Sequence, residues 1–95
     1  MTRDELLKKL RELKPWLEEQ GIVNVRLFGS YARDEAGPDS DVDLLVDLER
    51  PMGLRFFSVE EELADRLGTK VEMVTNRAMR NPYIRYTAER DAVVV

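Results

Sequence analysis

The chain has 95 residues, fifteen Lys and Arg against nineteen Asp and Glu, and a formal net charge of −4. A chain of this length forms one domain with a modest core, here expected over residues 1–95, and 43% hydrophobic with 36% charged residues describes a globular rather than a disordered chain. It has no cysteine and no histidine, which excludes disulfides, thiolate or imidazole metal sites and Ser-His-Asp triads, so any catalysis must use carboxylates, hydroxyls, Lys, Arg or an oxygen-ligated metal.

Thr2-x-x-Glu5 is a capping-box pattern. Leu6, Leu7, Leu10, Leu13 and Leu17 follow it at helical spacing. Pro15 should kink or divide this helix near Lys14, and Gly21 should end it. Ile22 to Phe28 reads as a buried strand that stops at Gly29-Ser30, with a short helical turn over Tyr31 to Asp34. Glu35 to Ser40 is a loop by its Gly-Pro and Asp-Ser content. Asp41 to Leu48 is a strand that alternates acid and apolar residues at its start. After a loop at Glu49 to Gly53, Leu54 to Leu67 is a helix with Phe56, Phe57, Leu63 and Leu67 on its apolar side, ended by Gly68. Lys70 to Thr75 is a third strand. Asn81-Pro82 is an N-cap followed by Pro at the first helical position, opening a helix from Tyr83 to about Arg90. Ala92 to Val95 is a last short strand. This order predicts a small α/β (α+β) domain: a mixed sheet flanked by helices.

No apolar run reaches the ~20 residues of a membrane span, and the N-terminus carries no apolar signal segment, so a cytoplasmic protein without membrane attachment is expected. Charge is uneven. Asp34 to Arg50 carries seven acids against one Arg, whereas Asn76 to Val95 carries four Arg against two acids. An acidic chain lacks the basic face that general nucleic-acid binding needs.

The chemistry concentrates in Gly29-Ser30 and, eleven residues on from Ser30, Asp41-Val42-Asp43. Residues i and i+2 of a strand share a face about 7 Å apart. Two carboxylates so placed repel unless a cation lies between them, and an oxygen-only set suits Mg²⁺ or Mn²⁺. A Gly directly after a strand admits close approach of a ligand to the backbone. If the following residues open a helical turn, their free N–H groups face an anion. Glu72, between Val71 and Met73, faces opposite to both. If its strand pairs beside Asp41 to Leu48, Glu72 joins the two aspartates. Taken singly, these features are ordinary: a solvated strand face, a turn, an exposed acid. Together they describe a nucleoside triphosphate held through its phosphates and its metal.

Leu27 to Val46 (LFGSYARDEAGPDSDVDLLV) resembles the signature of the DNA polymerase β-like nucleotidyltransferase superfamily. The chain is most similar to its minimal nucleotidyltransferases, small antitoxin-like proteins often paired with a HEPN-domain toxin. Lys70 to Thr75 resembles the third-carboxylate strand, and the segment ending Arg90-Asp91-Ala92-Val93 the C-terminal helix and strand. The resemblance implies that Gly29 and Ser30 bind the β- and γ-phosphates of ATP, with Arg33 steadying phosphate or pinning the loop. Asp41, Asp43 and Glu72 would be the catalytic ligands of two Mg²⁺ ions, Mn²⁺ being an alternative. Glu72 would also help deprotonate an acceptor hydroxyl, in characterised pairs a tyrosine of the toxin. Two departures stand out. Asp34 occupies a position that is usually Gly, adding negative charge near the loop. Glu72 replaces a frequent Asp; the longer side chain shifts the carboxylate by about an ångström, and such a misplacement can cost ~10²-fold in rate.

Three functions compete on sequence alone: nucleotidyl transfer to a partner protein, an antitoxin that neutralises its partner by binding with a weak or inactive site, and nucleotidyl transfer to RNA or a small molecule. Phe56 and Phe57 are expected in the core, and Trp16, Tyr83 and Tyr86 in packing or at an interface.

Overall fold

The computed structural model describes all 95 residues. Helix α1 spans Arg3–Glu19, strand β1 Ile22–Phe28, β2 Val42–Leu48, helix α2 Arg55–Leu67 and β3 Val71–Thr75; a 3₁₀ helix over Asn76–Arg80 leads into α3, Pro82–Asp91, and β4, Val93–Val94. The sheet order is β3-β2-β1-β4. β1 runs antiparallel to both β2 and β4, and β2 runs parallel to β3 through the α2 crossover. The sheet is therefore mixed, as the alternation of elements predicts.

Both caps form as written in the sequence. Thr2 Oγ1 accepts from Glu5 N at 3.2 Å, and Glu5 Oε1 accepts from Thr2 N at 3.1 Å. Asn81 Oδ1 accepts from Tyr83 N at 3.0 Å with Pro82 in the first turn. Pro15 does not divide α1, which runs unbroken to Glu19. Both Pro15 and Arg11, whose carbonyl loses its helical donor to the proline, lie on the exposed side of α1, where water can satisfy that oxygen.

The two faces of β2 explain its acid/apolar alternation. Val42, Leu44 and Val46 point into the main core, where they meet Leu6, Leu10 and Leu17 of α1 and Leu63 of α2. On the opposite face Leu45 packs with Phe28 and Ala88 beneath α3, with Val74, Met79 and Ile84 around them. Asp43 and Asp47 flank Leu45 on that second face. Asp47 is tied at its end: Asn24 Nδ2 donates to it at 2.9 Å, Arg26 Nη2 at 3.3 Å, and Asn76 Nδ2 closes the set. Asp43 has no such partner, so the covered part of this face stops where the acidic row begins.

Some expectations need correction. The second strand starts at Val42, leaving Asp41 just ahead of it. The 3₁₀ helix over Asn76–Arg80 had no sequence signal. Phe57 is 61% exposed and meets Phe56 edge-on, whereas Phe56 packs on the core. Successive helical side chains point about 100° apart, so with Phe56 turned to the core Phe57 faces outward. Trp16 does pack on the core, with the Arg66 guanidinium 4.2 Å over its ring.

Candidate active site

β1 delivers Gly29 and Ser30 to the end of the second face, next to Asp43: Phe28 is the register partner of Asp43 in β2, and Asp43 is the register partner of Glu72 in β3. The row Phe28–Asp43–Glu72 therefore crosses three adjacent strands on one side of the sheet. This is the pairing on which Glu72's candidacy depended. Asp41 lies two residues before Asp43, with Lys70 Nζ 3.8 Å from its Oδ2.

Gly29 has φ +78, and a Cβ built on it would collide with Asp43 Oδ2 while lying 3.2 Å from Asp43 Cγ. The glycine is required twice here, by the left-handed backbone and by the carboxylate against it. The chain then makes one helical turn rather than a helix. Arg33 N donates to Gly29 O at 3.2 Å, Asp34 N to Tyr31 O at 3.1 Å and Glu35 N to Ser30 O at 2.9 Å. The N–H groups of Ser30, Tyr31 and Ala32 donate to no acceptor in the protein. Three free donors at a helical turn, next to a hydroxyl, make a cradle suited to an anion. Tyr31 and Ala32 anchor the turn by burying their side chains in the main core.

Asp43 sits where its ionised form is disfavoured. Burial raises the Asp43 pKa to about 6, helped by the negative charges of Glu72 and then Asp41 and opposed by Arg33. The donors are all oxygen, the set that a hard divalent cation takes, and a cation there would relieve this repulsion. Asp41, Asp43 and Glu72 thus fit a Mg²⁺ site in chemistry. They do not converge into a ready-made ligand cage: no three acidic side chains stand close enough to hold an ion as arranged. Glu72 is exposed and free to swing, and Asp41 would have to leave Lys70.

Arg33 pins the turn. Its Nη1 donates to Asp91 Oδ2 at 2.6 Å and its Nε to Glu35 Oε2 at 3.1 Å. The Asp91 side chain is only 5% exposed and also takes Arg90 Nε at 2.8 Å; Arg90 first and Arg33 after it hold its pKa below the ordinary carboxylate range. The clasp fastens the Gly29–Arg33 turn to the end of α3.

Asp34 has a different role from the one its charge suggests. Its backbone is left-handed, φ +58, the conformation that suits a glycine. Its Oδ1 accepts from Arg3 N at 3.0 Å, so the carboxylate serves the N-terminus of α1. Asp34→Gly relieves the left-handed strain and removes this bond. Stability should change by no more than about 1 kcal/mol, as urea denaturation would show.

A cleft of about 430 Å³ opens between the carboxylate row and α3. Gly29, Ser30, Asp43 and Glu72 line it from the sheet, with Phe28, Val74 and Arg33. Asn81, Tyr83, Ile84 and Thr87 form the α3 wall. Sequence reading assigned none of these four to the site; the one available signal was that Asn81-Pro82 starts a helix shortly after the third-carboxylate strand. Glu60 of α2 was also missed. Its Oε2 accepts from Met73 N at 2.7 Å, covering the open edge of β3 and fixing the peptide that follows Glu72.

The family model for the nucleotidyltransferase domain matches residues 3–95, which include the Gly29-Ser30 turn, Asp41, Asp43 and Glu72. The chain belongs to that family. It is 42% identical over 96 residues to a candidate protein adenylyltransferase of Methanocaldococcus jannaschii, covering 99% of this chain and 98% of the relative. It is 39% identical over 97 residues to the protein adenylyltransferase MntA of Thermococcus cleftensis, covering 100% and 97%. A solved candidate minimal nucleotidyltransferase superposes with TM-score 0.82 at 33% identity, covering 100% of this chain and 97% of the other. A toxin-antitoxin crystal structure with AMP-PNP shares the fold, with TM-score 0.67 at 20% identity, covering 99% of this chain and 72% of that one.

Proposed function

We propose that this nucleotidyltransferase adenylylates a hydroxyl of a partner protein, with a HEPN-domain toxin as the partner, a tyrosine as the acceptor and ATP as the donor. The observation that carries the reading is the shared row of Asp43 and Glu72 beside a turn whose Ser30, Tyr31 and Ala32 N–H groups are free. Relatives named as protein adenylyltransferases match over nearly their whole length, which supports a protein acceptor over RNA or a small molecule.

In this reading Gly29 and Ser30 hold the β- and γ-phosphates. Asp41, Asp43 and Glu72 would hold two Mg²⁺ ions, which when bound offset the charge on the phosphates and on the leaving pyrophosphate. Glu72, the exposed member, takes the proton of the acceptor hydroxyl. The acceptor oxygen forms a bond to the α-phosphorus, the bond to the bridging oxygen breaks, and pyrophosphate departs with that electron pair. Arg33 acts by holding the turn to Asp91 rather than by meeting phosphate. The open cleft and unconverged carboxylates suit an enzyme whose partner completes the site.

Incubating this chain and its toxin with ATP and Mg²⁺ should raise the toxin's intact mass by AMP, with fragmentation placing it on tyrosine. An unchanged mass overturns the reading. The same unconverged carboxylates favour a second reading, an antitoxin that neutralises by binding alone. An Asp41→Asn, Asp43→Asn protein that silences the toxin as fully as the parent would establish it.

A further inference from the structure

The cleft has two chemically different ends, and the phosphates and ions account for only one. Its sheet end is polar: Gly29, Ser30, Asp43 and Glu72. Past Glu72 along β3, the floor becomes apolar at Val74, and Ile84 of α3 packs beside it in the small second core. Tyr83 stands over this end, 74% exposed. Asn81 completes the rim. Its Oδ1 is committed to Tyr83 N at 3.0 Å, so the group left to face a ligand is the Nδ2 amide with its two donors.

We infer that the Val74–Ile84–Tyr83 end of the cleft is the slot for the nucleobase of the bound triphosphate, with Tyr83 stacking on the base and the Asn81 amide donating to an acceptor on its edge. This rests on the proposed function, since it takes the phosphates to lie at Gly29–Ser30. Two observations favour a base over an acceptor side chain from the partner. The slot is continuous with the phosphate end in one cavity of about 430 Å³, within the size range of small-molecule sites, and a base is tethered to those phosphates. Its parts also match what a base offers: a flat apolar floor, an aromatic ring free to close over it, and an unspent donor at the edge. An exposed tyrosine gains from this contact what it lacks in the free protein, a second apolar face to cover.

Calorimetric titration with Mg²⁺, comparing ATP with inorganic tripolyphosphate, tests the slot. In the parent protein ATP should bind at least ~10-fold more tightly than tripolyphosphate, since one stacked base is worth about that factor or more. Tyr83→Ala should remove most of the difference by weakening ATP alone, and Tyr83→Phe should keep it. Asn81→Ser keeps a neutral cap for α3 and removes the amide, so it should weaken ATP several-fold and leave tripolyphosphate unchanged. Equal affinity for both ligands in the parent, or a Tyr83→Ala protein that keeps full ATP preference, overturns the slot while the phosphate site stands, and leaves the apolar end for the acceptor side chain. Failure of both ligands to bind the parent overturns the slot together with the proposed function.

Discussion

Asp43→Asn should cut nucleotidyl transfer on the order of 10³-fold and at the same time make the protein more stable above about pH 6. In the folded protein Asp43 has a pKa of about 6, raised first by burial and then by Glu72 and Asp41, against about 3.9 for an unperturbed aspartate. Between these values the folded state binds more protons than the unfolded state, so stability falls as pH rises through the window from about 4 to 6. Above it the cost of holding Asp43 ionised is present in full. Asparagine resembles the protonated acid and carries no such cost. The melting temperature of Asp43→Asn should therefore exceed the parent's at pH 7 to 8, and the two should meet below about pH 4. Activity moves the other way. A divalent ion contributes several kcal/mol of charge stabilisation, and about 1.4 kcal/mol is tenfold in rate, so transfer should fall on the order of 10³-fold. Added Mg²⁺ should raise the parent's melting temperature and leave that of Asp43→Asn unchanged. A substituted protein that is less stable than the parent at pH 8 would show that Asp43 is structural.

Gly29→Ala should be harmful in both respects. The position is left-handed, φ +78, and the new methyl would overlap Asp43 Oδ2. Left-handed backbone costs a non-glycine residue about 1–2 kcal/mol, and relief of the overlap must come from the carboxylate or from the turn. We expect a stability loss of about 1–3 kcal/mol by urea denaturation. Displacement of Asp43 by even about an ångström can cost ~10²-fold in rate, so transfer should fall by at least that factor while the protein still folds. The contrast between the two substitutions is diagnostic: one removes charge and gains stability, the other keeps every charge and loses it.

The parts of the site that were legible in the sequence are those fixed by local rules. Strand period put Asp43 on the face opposite Val42 and Leu44, and Gly29-Ser30 directly after a buried strand marked the close approach. The pairing of Glu72 with Asp43 was a condition that the β2-β3 register meets. The caps at Thr2 and Asn81 were legible because each is closed by its own neighbours. What was hidden depends on contacts distant in sequence. Asp34 looked like added charge at the site because nothing local shows that it reaches Arg3, 31 residues away. The role of Arg33 depends on Asp91, 58 residues on. Glu60 reads as one of three consecutive surface acids until α2 crosses β3. The α3 wall was out of reach for the same reason: Asn81 and Tyr83 were seen as a cap and an unassigned aromatic. That α1 continues through Pro15 rather than dividing there was hidden because the cost of a proline depends on whether the orphaned carbonyl is buried, and Arg11 lies on the exposed side.

The most direct test of the central claim, that this cleft binds a metal–nucleoside triphosphate, is an NMR titration of the labelled protein with ATP in the presence and absence of Mg²⁺. The expected result is a set of Mg²⁺-dependent shifts centred on the amides of Ser30, Tyr31 and Ala32 and on Asp43 and Glu72, lost in Asp43→Asn. Absence of shifts at millimolar ATP with Mg²⁺, or shifts that persist unchanged in Asp43→Asn, would contradict it.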